Sequence, residues 1–86
     1  MPYIKVEDRA RLEHLVREMC LTEIKTAGEL NYLLTRLVHS FLDQKPESYQ
    51  AYNDVIGALE GAKLELYRRH VSSYEENKMK QNGDVP

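Results

Sequence analysis

Residues 53–76, NDVIGALEGAKLELYRRHVSSYEE, decide how this chain is read. At about 100° per residue, Val55, Ile56, Leu59, Leu66 and Tyr74 fall on one side of a helix, together with the preceding Tyr52. Leu64, Val71 and the bare backbones of Gly57 and Gly61 lie on an adjoining side. The combined apolar arc is roughly 200° wide, about twice what a surface helix needs to meet a single core. One neighbour does not cover such an arc.

Length points the same way. The spacing predicts a third helix over 48–81, which spans roughly 50 Å at 1.5 Å per residue. A compact globule of 86 residues has a diameter of only about 30 Å. The helix therefore either breaks, at Ser72-Ser73, or projects into another subunit. Lys63 and His70 sit near the middle of the apolar arc, with Glu60 one turn before Lys63. Gly57 and Gly61 each cost about 1 kcal/mol against alanine inside a helix. A plain account has Lys63 snorkel and pair with Glu60 while the glycines admit a close helix crossing. The competing account has these groups line a pocket between subunits, the glycines leaving room for a ligand.

Working outward, Leu30, Leu33, Leu34, Leu37, Val38, Phe41 and Leu42 repeat at helical spacing and predict a second helix over 27–44. Thr26-Ala27-Gly28-Glu29 before it has the form of a capping box, a Thr hydroxyl for the first free amides and a Glu three residues on. Leu12, Leu15, Val16, Met19 and Ile24 predict a first helix over 6–25, with Glu7 and Asp8 favouring its N-terminus. Residues 1–5 read as an extended lead-in. Between the second and third helices, Pro46 breaks the pattern and Ser48 is placed to cap the third helix. So short a connection predicts an antiparallel hairpin. Asn82-Gly83 reads as a left-handed stop, leaving 82–86 as a tail. The expectation is one all-α domain over 1–86, a three-helix protomer that forms a helical-bundle homo-oligomer.

Composition narrows the function classes. Hydrophobic residues make up 42% and charged ones 30%, as in a globular domain rather than a disordered one. The apolar runs are far shorter than a membrane span, and the charged N-terminus does not read as a signal peptide. With a net charge of −2 and interspersed signs, no basic face offers itself to polymeric nucleic acid. The single cysteine, Cys20, has no partner for an internal disulfide and is expected to be a packed thiol in a cytoplasmic chain. No cofactor is expected. The nucleophile elbow, the phosphate-binding glycine loop and the paired-histidine zinc motif are all missing from the sequence. The residues three before His14, His39 and His70 are Arg11, Arg36 and Tyr67, so the Glu-x-x-His pairs of di-iron bundles are missing too. We therefore expect a binding protein rather than an enzyme.

The candidate ligand-binding residues combine planar and cationic groups. Tyr67, Arg68 and Arg69 supply two guanidiniums beside an aromatic ring on a helix that also carries Lys63. Asn31, Tyr32 and Arg36 open the second helix with a similar set. Guanidinium forks match phosphate oxygens, tyrosine rings stack on bases, and Asn pairs with base edges. These are the groups that a nucleotide-sized ligand requires. The alternative is structural: Tyr67 in the core, the arginines paired with Glu60, Glu65 or Glu75, and Asn31 and Arg36 merely at the surface.

Met1-Pro2-Tyr3-Ile4 with Glu7-Asp8-Arg9, Gly28-Glu29-Leu30-Asn31-Tyr32, Tyr67-Arg68-Arg69 and Asn82-Gly83-Asp84-Val85 carry a resemblance that covers nearly the whole chain. It resembles a family of short, largely uncharacterised proteins found in bacteria and tailed phages. Members often have a proline near the position of Ser73, which this chain lacks. The resemblance implies a phage-type setting in the host cytoplasm. There, small helical homo-oligomers are similar in style to counter-defence proteins that trap cyclic nucleotide immune signals between subunits. The expected function is sequestration of a small phosphate-bearing signal. The alternative is a helical interaction module that docks a host or phage protein and takes no small-molecule ligand.

Overall fold

A computed structural model describes residues 4–85, and among them every regular element is a helix. The chain is all-α. It divides into two units, one ending at Gln44 and the other starting at Lys45.

The first unit holds α1 (Val6–Leu21) and α2 (Ala27–Asp43). Helix α1 stops one turn earlier than its apolar spacing predicts. Thr22 is already extended, with φ −103° and ψ 126°, and its hydroxyl donates to the Glu18 carbonyl at 2.7 Å. A β-branched residue with its own hydrogen bond to the preceding turn is a weak continuation signal. Ile24, expected to close α1, lies half-buried in the linker instead. Helix α2 starts where the capping box places it. The Thr26 hydroxyl accepts the Glu29 amide at 3.1 Å, while Glu29 Oε1 accepts the Lys25 amide at 2.7 Å, one residue before the usual position. The two helices lie in sequence without packing side by side.

The second unit is one helical run in three parts: α3 (Tyr49–Leu66), a π-turn (Tyr67–Val71) and α4 (Ser72–Asn82). Ser48 caps it, its hydroxyl accepting the Ala51 amide at 3.0 Å. Beside the cap, the Tyr52 hydroxyl donates to the Glu47 carboxylate at 2.6 Å. That hydrogen bond and the carboxylate charge hold the phenol proton and push the Tyr52 pKa up from its ordinary value. At the far end Gly83 takes φ 82° and ψ 154°, and its amide donates to Met79 at 2.8 Å. The positive φ is as expected for a stop glycine, although ψ lies outside the left-handed helical range.

A break at Ser72-Ser73 was one of two alternatives for the long helix, and the backbone there is continuous. Both serines are helical, and the irregularity lies immediately before them, where the Ser72 amide donates to the Tyr67 carbonyl five residues back. A π-turn holds one residue more than an α-turn, so positions beyond it are wound back by roughly 100°.

What neither unit has is a core. Ala51, 7% exposed, is the one buried residue among those described. Val38, Leu42, Val55 and Val71 are half-buried, and the large side chains of the α2 stripe, Leu30, Leu33, Leu34, Leu37 and Phe41, are exposed. Cys20, expected to be packed, is exposed as well. The antiparallel hairpin of second and third helices concerns how the two units meet and stays an expectation. The lead-in residues Met1, Pro2 and Tyr3, and the last tail residue Pro86, lie outside the described residues.

Candidate functional site

The seven candidate residues are divided between the units. Asn31, Tyr32 and Arg36 belong to α2, and Lys63, Tyr67, Arg68 and Arg69 belong to the long helical run.

On α2, the Asn31 carbonyl accepts the Thr35 hydroxyl at 2.9 Å, and the Tyr32 ring is exposed. Arg36 lines a shallow, open depression with His39, Ser40, Asp43 and Gln44, across which Gln44 Nε2 donates to Ser40 Oγ at 3.2 Å. Asn31 and Tyr32 do not share that depression. The depression runs along the polar side of one helix and carries as much acceptor as donor chemistry. It is a poor anion site.

The second group is better organised. Lys63 Nζ lies 3.4 Å from Glu60 Oε1, the pair that the plain reading of the arc anticipates. Both side chains are more than half exposed, so the contact is solvent-screened and contributes little to stability. One turn on, the π-turn begins at Tyr67 and carries Arg68, Arg69 and His70 in sequence. Both guanidiniums converge on a single carboxylate oxygen. Arg68 Nη2 donates to Glu65 Oε1 at 3.1 Å, and Arg69 Nε donates to the same oxygen. Glu65 is 28% exposed, whereas Arg68 and Arg69 are 66% and 56% exposed. Each arginine has five N–H donors, and the clasp occupies one on each. The Tyr67 ring, 51% exposed, is not a core residue in the single chain.

Glu65 is one of the three partners that the structural alternative offers the arginines, and both of them take it. Its signal is present in the sequence. A glutamate three and four residues before two arginines is the favourable orientation for helical ion pairs. Spacing alone does not say that both arginines choose the same oxygen.

The class of protein follows from these observations: an all-α chain with uncovered apolar helix faces and a two-arginine cluster on a π-turn. No group of three or more His, Cys, Asp or Glu side chains among the described residues is gathered to hold a metal ion. No helix among them is long and apolar enough to cross a membrane. The chain belongs to the family defined by the domain of unknown function DUF6899, whose family model matches residues 1–85. Neither a curated protein nor a solved structure matches it.

Proposed function

We propose that this is a non-catalytic binding protein that works as a homo-oligomer and sequesters a small phosphate-bearing, cyclic-nucleotide-like molecule. The observation that carries the reading is the π-turn at Tyr67–Val71, which falls on the residues that the sequence singles out for phosphate chemistry. π-turns are rare and occur frequently at functional sites. This one sets two guanidiniums side by side on one carboxylate, with their remaining donors in solvent beside an exposed tyrosine ring. In an assembly a neighbouring subunit would close over that surface, and Asn31, Tyr32 and Arg36 are the residues we assign to the closing face. The setting comes from the resemblance to short phage proteins, in which such a protein would act as a counter-defence sponge in the host cytoplasm.

The uncovered α2 stripe favours a second reading. In it, the chain docks a host or phage protein through an apolar helical face and takes no small ligand.

Native mass spectrometry of freshly purified protein, followed by calorimetry against cyclic di- and oligonucleotides and cyclic ADP-ribose isomers, separates the two readings. The sponge reading expects at least one binder, recovered chemically intact after denaturation, with a rise in melting temperature as ligand exceeds its Kd. Arg68→Ala or Arg69→Ala should weaken that binding more than tenfold while the oligomeric mass stays the same. If no molecule of the set binds and none co-purifies, the docking reading replaces it.

A further inference from the structure

From the backbone geometry at the end of α4, we infer that Asn82 is a site of spontaneous deamidation, held in check by the hydrogen bond that closes the helix. The inference is independent of the sequestration reading.

Deamidation joins two neighbouring groups. The backbone nitrogen of the residue after an asparagine gives up its proton to water or hydroxide and attacks the side-chain carbonyl carbon. The new N–C bond closes a five-membered succinimide, and the C–N bond of the carboxamide breaks to release ammonia. Water then opens the ring at either carbonyl, leaving aspartate or isoaspartate. A side chain on the following residue obstructs the ring, so asparagine before glycine is the most reactive pairing. Asn31, Asn53, Asn77 and Asn82 precede Tyr32, Asp54, Lys78 and Gly83. Gly83 alone of these has no side chain, and the space where its Cβ would stand holds no atom within 4 Å.

The fold restrains all four sites, and Asn82 least. Asn31, Asn53 and Asn77 lie within helices, where the attacking amide is committed to the carbonyl four residues back and further turns follow. Asn82 is exposed and is the last residue of α4. Its attacking nitrogen is the Gly83 amide, which donates to the Met79 carbonyl at 2.8 Å. While that bond holds, the nitrogen keeps its proton and is aimed back along the helix, away from the carboxamide. Helix ends open most readily, so fraying of the last turn sets the rate. Lys80 in that turn favours the closed state by complementing the negative end of the helix. The product places a negative charge at that same end, beside Asp84, and isoaspartate also lengthens the backbone by a methylene. Both oppose closure, so the change is self-reinforcing.

The test incubates the protein in mildly alkaline buffer, native and in guanidinium chloride. Peptide mass mapping follows each asparagine, and an isoaspartyl methyltransferase labels the isoaspartate. In native protein, position 82 should convert before positions 31, 53 and 77. It should also convert at least about threefold more slowly than in guanidinium, which corresponds to a last turn open about a third of the time or less. Lys80→Glu should speed native conversion and leave the denatured rate unchanged. Gly83→Ala should slow conversion in guanidinium, where the added methyl group acts without the helix. Native conversion at Asn31, Asn53 or Asn77 as fast as at Asn82 overturns the inference. So does an equal rate at Asn82 in both conditions, or a native rate that Lys80→Glu leaves unchanged. An Asn82 that stays intact even in guanidinium removes the site altogether.

Discussion

The residues that shape this chain locally are short polar side chains placed where backbone amides have no helical partner. Thr26 and Ser48 each accept an amide three residues on, at 3.1 and 3.0 Å, and so define where α2 and α3 begin. At α3 the Ser48 hydroxyl fixes the start two residues after Pro46, which breaks the preceding pattern. Thr26→Ala should destabilise the protein by about 1 kcal/mol, the usual cost of a lost cap. Thermal melting followed by circular dichroism measures it, and an unchanged midpoint would mean that the Glu29 contact to Lys25 holds the turn by itself.

The π-turn decides the second unit at the level of the element, and the glycines upstream of it pose a question of their own. A Cβ added at Gly57 or Gly61 meets nothing within 4 Å in the single chain. Within one helix, therefore, alanine at either site should stabilise by up to about 1 kcal/mol through propensity alone. If the glycines admit the close approach of a second helix, the same methyl groups obstruct it. We expect Gly57→Ala and Gly61→Ala to raise the helicity of dilute protein while weakening its association, read by circular dichroism and sedimentation on the same samples. Variants that associate as tightly as wild type would remove the glycines from the interface and leave them without a packing role.

For the whole molecule, the governing fact is that Ala51 alone is buried among the described residues while Leu33, Leu37, Ile56, Leu59 and Leu64 are exposed. Folding must remove enough apolar surface from water to offset the entropy of ordering the chain, and one alanine does not do so. Self-association is the remedy we expect. Light scattering coupled to size exclusion should report a mass well above 10.1 kDa at micromolar concentration. Leu64→Glu or Val71→Glu should lower it, because an unpaired charge in a dry interface costs several kcal/mol. A clean wild-type monomer would refute the homo-oligomer.

Periodicity and capping chemistry were enough, without coordinates, to make the chain all-α and to start α2 and α3 within a residue of where they lie. Both signals act within one turn of helix, and nothing distant competes with them at these positions. The ends were less legible: α1 stops at Leu21 because Thr22 hydrogen-bonds back to Glu18, a contact that competes with an apolar pattern still running to Ile24. The candidate phosphate cluster was legible as a set of residue types, and the Glu65 spacing to Arg68 and Arg69 was there to be read. Only the folded backbone decided that the irregularity is a π-turn at 67–71 and not a break at 72–73. An α-turn and a π-turn use the same residues and differ by one hydrogen-bond step, a difference too small for composition or spacing to register. It also decided that both guanidiniums meet on one oxygen, since each of two favourable ion-pair spacings is satisfied by either oxygen of the same carboxylate.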